Sequence, residues 1–156
     1  MPNYKDINNK VHFLDSVEFE HLLPSGCIPI TDSEAYALNY PPATLAQVQT
    51  TQLALMESSY QAANTAPIAY MSTTFQADAN SQSLMAAVLT ASGGSLPAGF
   101  AWFDVNNIPV AMTFAQLQGL AGTILLRGQP LFIHKQTQKA AIRAALDVAT
   151  TLAVVW

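Results

Sequence analysis

Two stretches of the sequence follow the same pattern of polar residues. Asp6-Ile7-Asn8-Asn9 precedes Asp15-x-x-Glu18, and Asp104-Val105-Asn106-Asn107 precedes Thr113-x-x-Gln116 with identical internal spacing. An Asn-Asn pair can enter the left-handed backbone region that tight hairpin turns require. An Asp or Thr followed three positions later by Glu or Gln can bind the free amides at the start of a helix. The pattern therefore predicts, twice, a turn, a short strand and a capped helix.

Charges are few and unevenly distributed along the chain. Of the 156 residues, 51% are hydrophobic and 10% are charged, against roughly 25% charged in a typical soluble domain. Glu57 is the only formal charge between Ala35 and Ala77, and Asp78 is the only one between Ser58 and Phe103. We therefore expect a partner or a second copy to cover this uncharged middle. The alternative is a small protein with a surface of Ala, Ser and Gln.

The sequence predicts neither membrane insertion nor a disulfide. No apolar stretch approaches the ~20 residues that cross a bilayer, and the first residues lack the apolar core of a secretory signal. We therefore expect a soluble chain made in the cytoplasm. Cys27 is the only cysteine, and only acidic residues lie near it in sequence, so we interpret it as a half-buried structural thiol.

The predicted fold class is α+β, in three parts. Residues 1–42 form a small β-rich N-terminal head, in which Thr31-x-x-Glu34 opens a short helix. Residues 43–66 form a long connecting helix, and residues 67–156 form an α+β C-terminal domain of β-hairpins and a kinked C-terminal helix. Through Glu57 the chain holds seven acidic residues and two lysines, so its first third is strongly acidic.

The connecting helix carries two apolar lines. One line holds Leu45, Val48 and Leu55, and the other holds Leu53, Met56 and Tyr60. Two apolar lines imply neighbours on two sides of the helix. Our hypothesis is that these six residues bind a partner protein, and packing against a helix of the same chain is the alternative.

Local signals also divide the C-terminal domain. Residues 68–71 and 73–76 are predicted to pair as a hairpin, and Asp78 to cap a helix over residues 79–91. A second hairpin joins residues 100–103 to 108–112. Thr113 then begins the final helical region, which Pro130 is predicted to kink or break because an interior proline removes a backbone hydrogen bond. Thr150 or Thr151 is predicted to cap a last short turn.

Lys135, Lys139 and Arg143 recur every four residues and form a basic stripe on one helix face. The chain has only six basic residues and a net charge of −4. Nucleic-acid binding depends on neutralising many phosphates, so we expect no nucleic-acid partner. The stripe is interpreted as a solvated helix face on which Asp147 can pair with Arg143. The alternative is contact with the acidic head across a subunit or partner interface.

Motifs of catalysis are weak in this sequence. His12 and His21 lie near acidic residues, but their spacing matches no metal-ligand pattern. Ser92-Gly93-Gly94-Ser95 lacks the lysine of a phosphate-binding loop. We therefore predict no catalytic residue, no metal and no cofactor. Phe100, Trp102 and Phe103 form an aromatic group on the second hairpin, interpreted first as packing and secondly as a sugar-stacking platform.

Two parts of the chain carry motifs that resemble those of known proteins. The first quarter of the chain contains Tyr4-Lys5-Asp6, the run from Asn8 to Ser16, Glu18-Phe19-Glu20 and the run from Leu22 to Cys27. This set resembles the N-terminal module of small tail fibre assembly proteins of tailed bacteriophages. Residues 60–156 resemble an uncharacterised domain attached to such proteins. That second resemblance depends on Phe75-Gln76-Ala77-Asp78, Trp102-Phe103-Asp104 with Asn107, and Lys139-x-x-Ile142.

The resemblance implies a non-catalytic phage tail protein that binds a tail fibre or receptor-binding protein and aids its assembly or attachment. Its expected partners are a tail fibre or another tail protein together with further copies of itself, and its expected location is the host cytoplasm during assembly. One alternative is a permanent virion subunit of the tail fibre or tail tip, an oligomer that shares the trimeric arrangement usual for fibres. A second is a module at the tail tip that binds glycans or the host surface.

Overall fold

The chain folds into two units, residues Met1–Thr44 and Leu45–Trp156. The computed structural model describes residues 1–156, and it confirms the predicted α+β class, with 54% of residues in helices. The first boundary lies two residues beyond the end of the predicted head. The long helix predicted as a separate connector belongs to the C-terminal unit, because it packs along the helix that runs from Phe114 to Ala144.

The N-terminal unit, Met1–Thr44, is built around a three-stranded antiparallel sheet with strand order β2-β1-β3. Its elements are β1 Asn3–Lys5, β2 Val11–Phe13, a 3₁₀ helix Val17–Leu22, β3 Ile28–Ile30 and α1 Asp32–Asn39. Only Asn3, Tyr4 and Ala35 are buried in this unit. The Tyr4 hydroxyl donates to Glu20 of the 3₁₀ helix, and the Asn3 amide donates to Asp32 of α1. Hydrogen bonds therefore supplement a very small core.

The C-terminal unit, Leu45–Trp156, combines four helices with two β-hairpins. Its elements are α2 Leu45–Thr65, β4 Ile68–Tyr70, β5 Thr73–Phe75, α3 Ala79–Ala91, β6 Ala101–Phe103, β7 Pro109–Ala111, α4 Phe114–Ala144 and α5 Val148–Leu152. Helix α4 packs against α2, α3 and α5. Strands β4 and β5 form one hairpin and β6 and β7 the other. The core consists of Phe75, Ala77, Met85, Trp102, Met112, Leu117, Leu120 and Ile124.

The repeated sequence pattern forms the same turn twice. Asp6 Oδ1 accepts the backbone amides of Asn8 at 2.8 Å and Lys10 at 2.9 Å. Asp104 Oδ1 likewise accepts the backbone amides of Asn106 and Ile108, which lie two and four residues later, both at 2.8 Å. Asn9 and Asn107 both have φ of 61°, a region that asparagine tolerates better than most residues. The predicted hairpin turns are confirmed.

Most of the predicted helix caps are also confirmed. Thr31 and Thr113 form capping boxes with Glu34 and Gln116, and Asp78 caps α3. The prediction is wrong for Asp15-x-x-Glu18, because Ser16 caps that segment and the segment is a 3₁₀ helix.

The cap at the end of the chain is also different from the prediction. Asp147, not Thr150 or Thr151, caps α5, and its carboxylate accepts the Thr150 amide at 2.7 Å. An aspartate, and not a threonine, therefore caps this helix.

Helix α4 continues through Pro130. Of the kink or break predicted at this position, the break is wrong, since one helix runs from Phe114 to Ala144. The proline leaves the carbonyl of Leu126, four residues earlier, without its helical donor. Leu126 is 74% exposed and Pro130 is also exposed, so water reaches this side of the helix.

Candidate protein-binding groove

An open apolar groove lies between α2, α3 and α4. Its volume is about 540 Å³. It is lined by Tyr60, Asn64, Gln82, Met85, Ala86, Leu89, Ala121, Ile124, Leu125, Gly128, Gln129 and Phe132. No charged side chain lines it. We call this the interhelical groove, and its lining fits a ligand that brings apolar side chains and uncharged hydrogen-bonding groups.

The side-chain amide of Gln82 in the groove is held by hydrogen bonds to its neighbours. Gln82 donates to the carbonyls of Ala77 at 2.7 Å and Asn64 at 3.4 Å, which links α3 to the end of α2. Gly128 of α4 faces Asn64, and a Cβ atom at that glycine would lie 2.9 Å from the Asn64 side-chain oxygen. The absence of a side chain at Gly128 therefore lets α4 approach the end of α2.

Glu57 binds both lysines of the predicted basic stripe. Its two carboxylate oxygens each lie 3.1 Å from an ammonium nitrogen, one of Lys135 and one of Lys139. Lys135 is only 7% exposed. The interpretation of the stripe as a solvated face is therefore wrong for both lysines, which instead join α4 to α2. Arg143 is exposed, and the Asp147 carboxylate caps α5 instead of pairing with it.

The same cluster fixes the aromatic end of the groove. The Lys135 ammonium lies 3.7 Å from the centre of the Tyr60 ring and 5.3 Å from that of Phe132. Trp156 meets the Tyr60 ring edge-on at 6.5 Å and the His134 ring at 4.9 Å. A cation over a ring face is stabilising. The orientation of Tyr60 thus depends on α4 and on the end of the chain.

Hydrogen bonds from Lys139, Lys135 and Gln61 lower the pKa of Glu57 to about 2. A carboxyl group with so low a pKa stays ionised at neutral pH and is a poor proton donor. The role of Glu57 in this geometry is to neutralise Lys135 where that lysine is removed from water.

We expect the stabilising contribution of Glu57 to disappear in acid. Because its pKa falls on folding, the contribution is complete above the pKa of 4.5 of an unperturbed glutamate and is lost as the pH falls toward about 2. The difference in Tm between the wild type and Glu57→Gln should therefore be greatest at neutral pH and shrink below pH 4.5. Thermal unfolding followed by circular dichroism across this range measures it.

Two further variants make this test specific. Lys135→Met keeps the packing of the side-chain stem and leaves Glu57 paired with Lys139. Glu57→Gln instead leaves the buried ammonium of Lys135 without an anion, so it should cost more stability than Lys135→Met. Glu18→Gln removes an exposed carboxylate that has no side-chain partner, and it serves as the control. A constant Tm difference for Glu57→Gln at every pH would contradict the assignment.

The structure divides the six residues predicted to bind a partner through α2. Val48 and Met56 are buried, and the helices that pack on α2 are α4 and α5. The alternative of packing within the chain therefore holds for these two residues, which are removed from the predicted surface. Leu45, Leu53 and Tyr60 are half-buried, whereas Leu55 is 51% exposed.

The three residues of the aromatic hairpin lie in different environments. Trp102 is 8% exposed and belongs to the core, whereas Phe103 is 54% exposed. Phe100 stacks on Trp102 with ring centres 6.4 Å apart. The face of Trp102 is therefore not open to a sugar ring, which argues against this residue as a stacking platform.

The two histidines of the N-terminal unit contact neighbouring residues. His12 lies 3.2 Å from the Asp6 carboxylate. His21 Nδ1 contacts the Glu18 carbonyl at 3.0 Å. Cys27 is half-buried, as expected. No three His, Cys, Asp or Glu side chains come together in a group that could hold a metal ion.

Sequence reasoning missed Arg127, which joins α4 to the end of α2. Its guanidinium donates to the carbonyls of Asn64 and Ala66, both at 2.6 Å, and to that of Pro67 at 3.4 Å. Burial lowers the pKa of Arg127. An arginine alone within a long uncharged stretch could have indicated such a role, because an isolated cation inside an apolar region needs fixed acceptors.

The groove and its supporting helices define a helical unit with two β-hairpins and a groove lined by uncharged side chains. The chain belongs to the family described as Domain of unknown function (DUF4376), which matches residues 47–155. This match covers nearly all of the C-terminal unit. Neither the search of curated proteins nor the search of solved structures finds a match. None of the helices combines the length and apolar character needed to cross a membrane.

Proposed function

We propose that the chain is a non-catalytic protein of a bacteriophage tail, and that the interhelical groove binds a tail fibre or receptor-binding protein. The phage context comes from the resemblance of the first quarter and of residues 60–156 to tail proteins. The observation that carries the binding role is the open, uncharged groove with its preorganised aromatic end. Binding there aids assembly or attachment of the fibre in the host cytoplasm.

The chemistry of the groove supports an occupant that is apolar and uncharged. Leu125 is 70% exposed and Phe132 is 48% exposed, so both present apolar surface at the opening. Gln82, Gln129 and Asn64 supply amide groups around it. A charged segment would lose hydration there without gaining an ion pair. The fibre segment we expect therefore carries aliphatic or aromatic side chains flanked by backbone or amide groups.

Substitution at the opening of the groove tests the proposal. Leu125→Glu places a charge in the groove, and we expect it to weaken binding to the fibre at least about tenfold. The matched control is Leu84→Glu on α3, because Leu84 is 54% exposed and does not line the groove. Calorimetric titration of the full chain with the purified fibre protein of the same phage measures both. Equal binding by the two variants would contradict the groove as the contact.

Mass spectrometry of purified virions separates an assembly factor from a permanent subunit. An assembly factor acts on the fibre and leaves, so the chain should be absent from mature particles. Its presence in stoichiometric amounts would instead assign it to the tail fibre or tail tip as a structural subunit.

A further inference from the structure

The two edges of the N-terminal sheet differ in what they offer to another strand. In the pairing of β1 with β2, the amide of Asp6 donates to Lys10 and that of Leu14 donates to Pro2, both at 3.1 Å. Since antiparallel hydrogen bonds alternate along a strand, His12 faces β1 and the backbone groups of Val11 and Phe13 face outward. The outer edge of β2 thus presents two amides and two carbonyls.

The opposite edge is closed to strand addition by a proline. In β3, Ile28 and Ile30 lie opposite Lys5 and Asn3 of β1, and by the same alternation their backbone groups face β1. The residue facing outward is Pro29, which has no amide hydrogen. Prolines on edge strands prevent unwanted pairing, so only the β2 edge is open.

Side chains along the β2 edge are complementary to a second copy of the same edge. Phe13 is 57% exposed, and Val11 lies on the same face of the sheet, two residues away. Lys10 and Asp15 flank the strand with opposite charges, and both are exposed with no side-chain partner within the chain. An antiparallel copy would bring each lysine close to the aspartate of the other chain.

We propose that two copies of this chain associate through their β2 strands, antiparallel and centred on His12. In this register Val11 of each copy lies opposite Phe13 of the other, so the same pair occurs twice. Each pair forms two backbone hydrogen bonds through the outward-facing groups, about four in total. An aromatic side chain opposite a β-branched one is a favourable cross-strand pair. The result is a continuous six-stranded sheet made of two three-stranded halves.

The small core of the N-terminal unit gives this pairing a physical benefit. Only Asn3, Tyr4 and Ala35 are buried there, and so small a unit buries little of its apolar surface by itself. Association covers part of the exposed Phe13 side chain. A contact of two short strands is small, so we expect a weak dimer, with Kd on the order of 100 µM.

Charge exchange across the contact tests the proposal sharply. Lys10→Glu alone and Asp15→Lys alone each replace two attractive pairs with two repulsive ones, so each should weaken self-association about tenfold. An equimolar mixture of the two variants restores both attractive pairs and should form heterodimers as tightly as the wild type self-associates. Sedimentation equilibrium of the full chains measures all three.

Matched substitutions locate the contact. Phe13→Glu should abolish dimers, whereas Ile28→Glu should leave them intact, because Ile28 is similarly exposed at 53% but lies on β3. Leu125→Glu in the interhelical groove should also leave them intact, so this test is independent of fibre binding. Monomeric wild type at millimolar concentration, or a mixture no tighter than its components, would overturn the proposal. So would dimers lost in Ile28→Glu or Leu125→Glu.

Discussion

Replacing Phe75 by alanine is expected to lower the free energy of unfolding by about 3–5 kcal/mol. Phe75 is fully buried at the centre of the core of the C-terminal unit. Its strand, β5, also contacts the second hairpin, since Phe75 bridges Asp104 and the Val105 amide donates to the Thr74 carbonyl at 3.0 Å. Truncation would therefore leave a cavity where two hairpins and α4 meet.

Denaturation by urea, followed by far-UV circular dichroism, measures this loss. The matched control is Phe103→Ala, because Phe103 is also on a hairpin strand but is 54% exposed. We expect that control to lose less than about 1 kcal/mol. A loss of similar size in both variants would mean that Phe75 does not occupy the core position assigned to it.

The turns and caps could be predicted from sequence because each depends on residues within four positions of one another. Asp104 binds the amides two and four residues later, and Thr113 binds the one three residues later. These short loops close at little entropic cost, so the local pattern determines the structure. The error at Asp15 is of the same local kind, since the neighbouring Ser16 can also cap the segment.

The contacts between helices could not be predicted from local patterns. Glu57 and Lys135 are 78 positions apart, and no periodicity in either helix indicates that they meet. Gly119 is a further case, because the Tyr70 ring lies directly over it where a side chain would be. Both contacts depend on how α4 is placed against α2 and β4. The interhelical groove arises from that placement, so local sequence patterns could not predict it.

At Pro130 the sequence carries a strong local signal for a helix break, but contacts between helices override it. The proline removes one hydrogen bond within α4, but α4 is held on both sides of it by contacts with α2. Arg127 binds the end of α2 before the proline, and Lys135 and Lys139 bind Glu57 after it. Anchors on both sides offset the loss of a single backbone hydrogen bond.

Removing the Arg127 anchor is the second change with a large expected effect. Arg127→Met keeps the aliphatic stem but removes the donors to Asn64, Ala66 and Pro67, and we expect it to cost about 3 kcal/mol. Arg127→Lys should be intermediate, because a single ammonium cannot reach the carbonyls that a planar guanidinium spans. The matched control is Arg143→Met, since Arg143 is exposed on the same helix, and it should change stability by less than about 0.5 kcal/mol.

Hydrogen exchange gives a local measure of the same anchor. The three carbonyls lie where α2 ends and β4 begins, so loss of Arg127 should speed amide exchange over residues 64–70 before the rest of the unit is affected. Because Asn64 also lines the groove, Arg127→Met should weaken the fibre binding that we propose, even under conditions in which the unit stays folded. Unchanged exchange over these residues, together with wild-type stability, would show that α4 and α2 are held together without this arginine. The groove would then depend on the Glu57 cluster and on apolar packing alone.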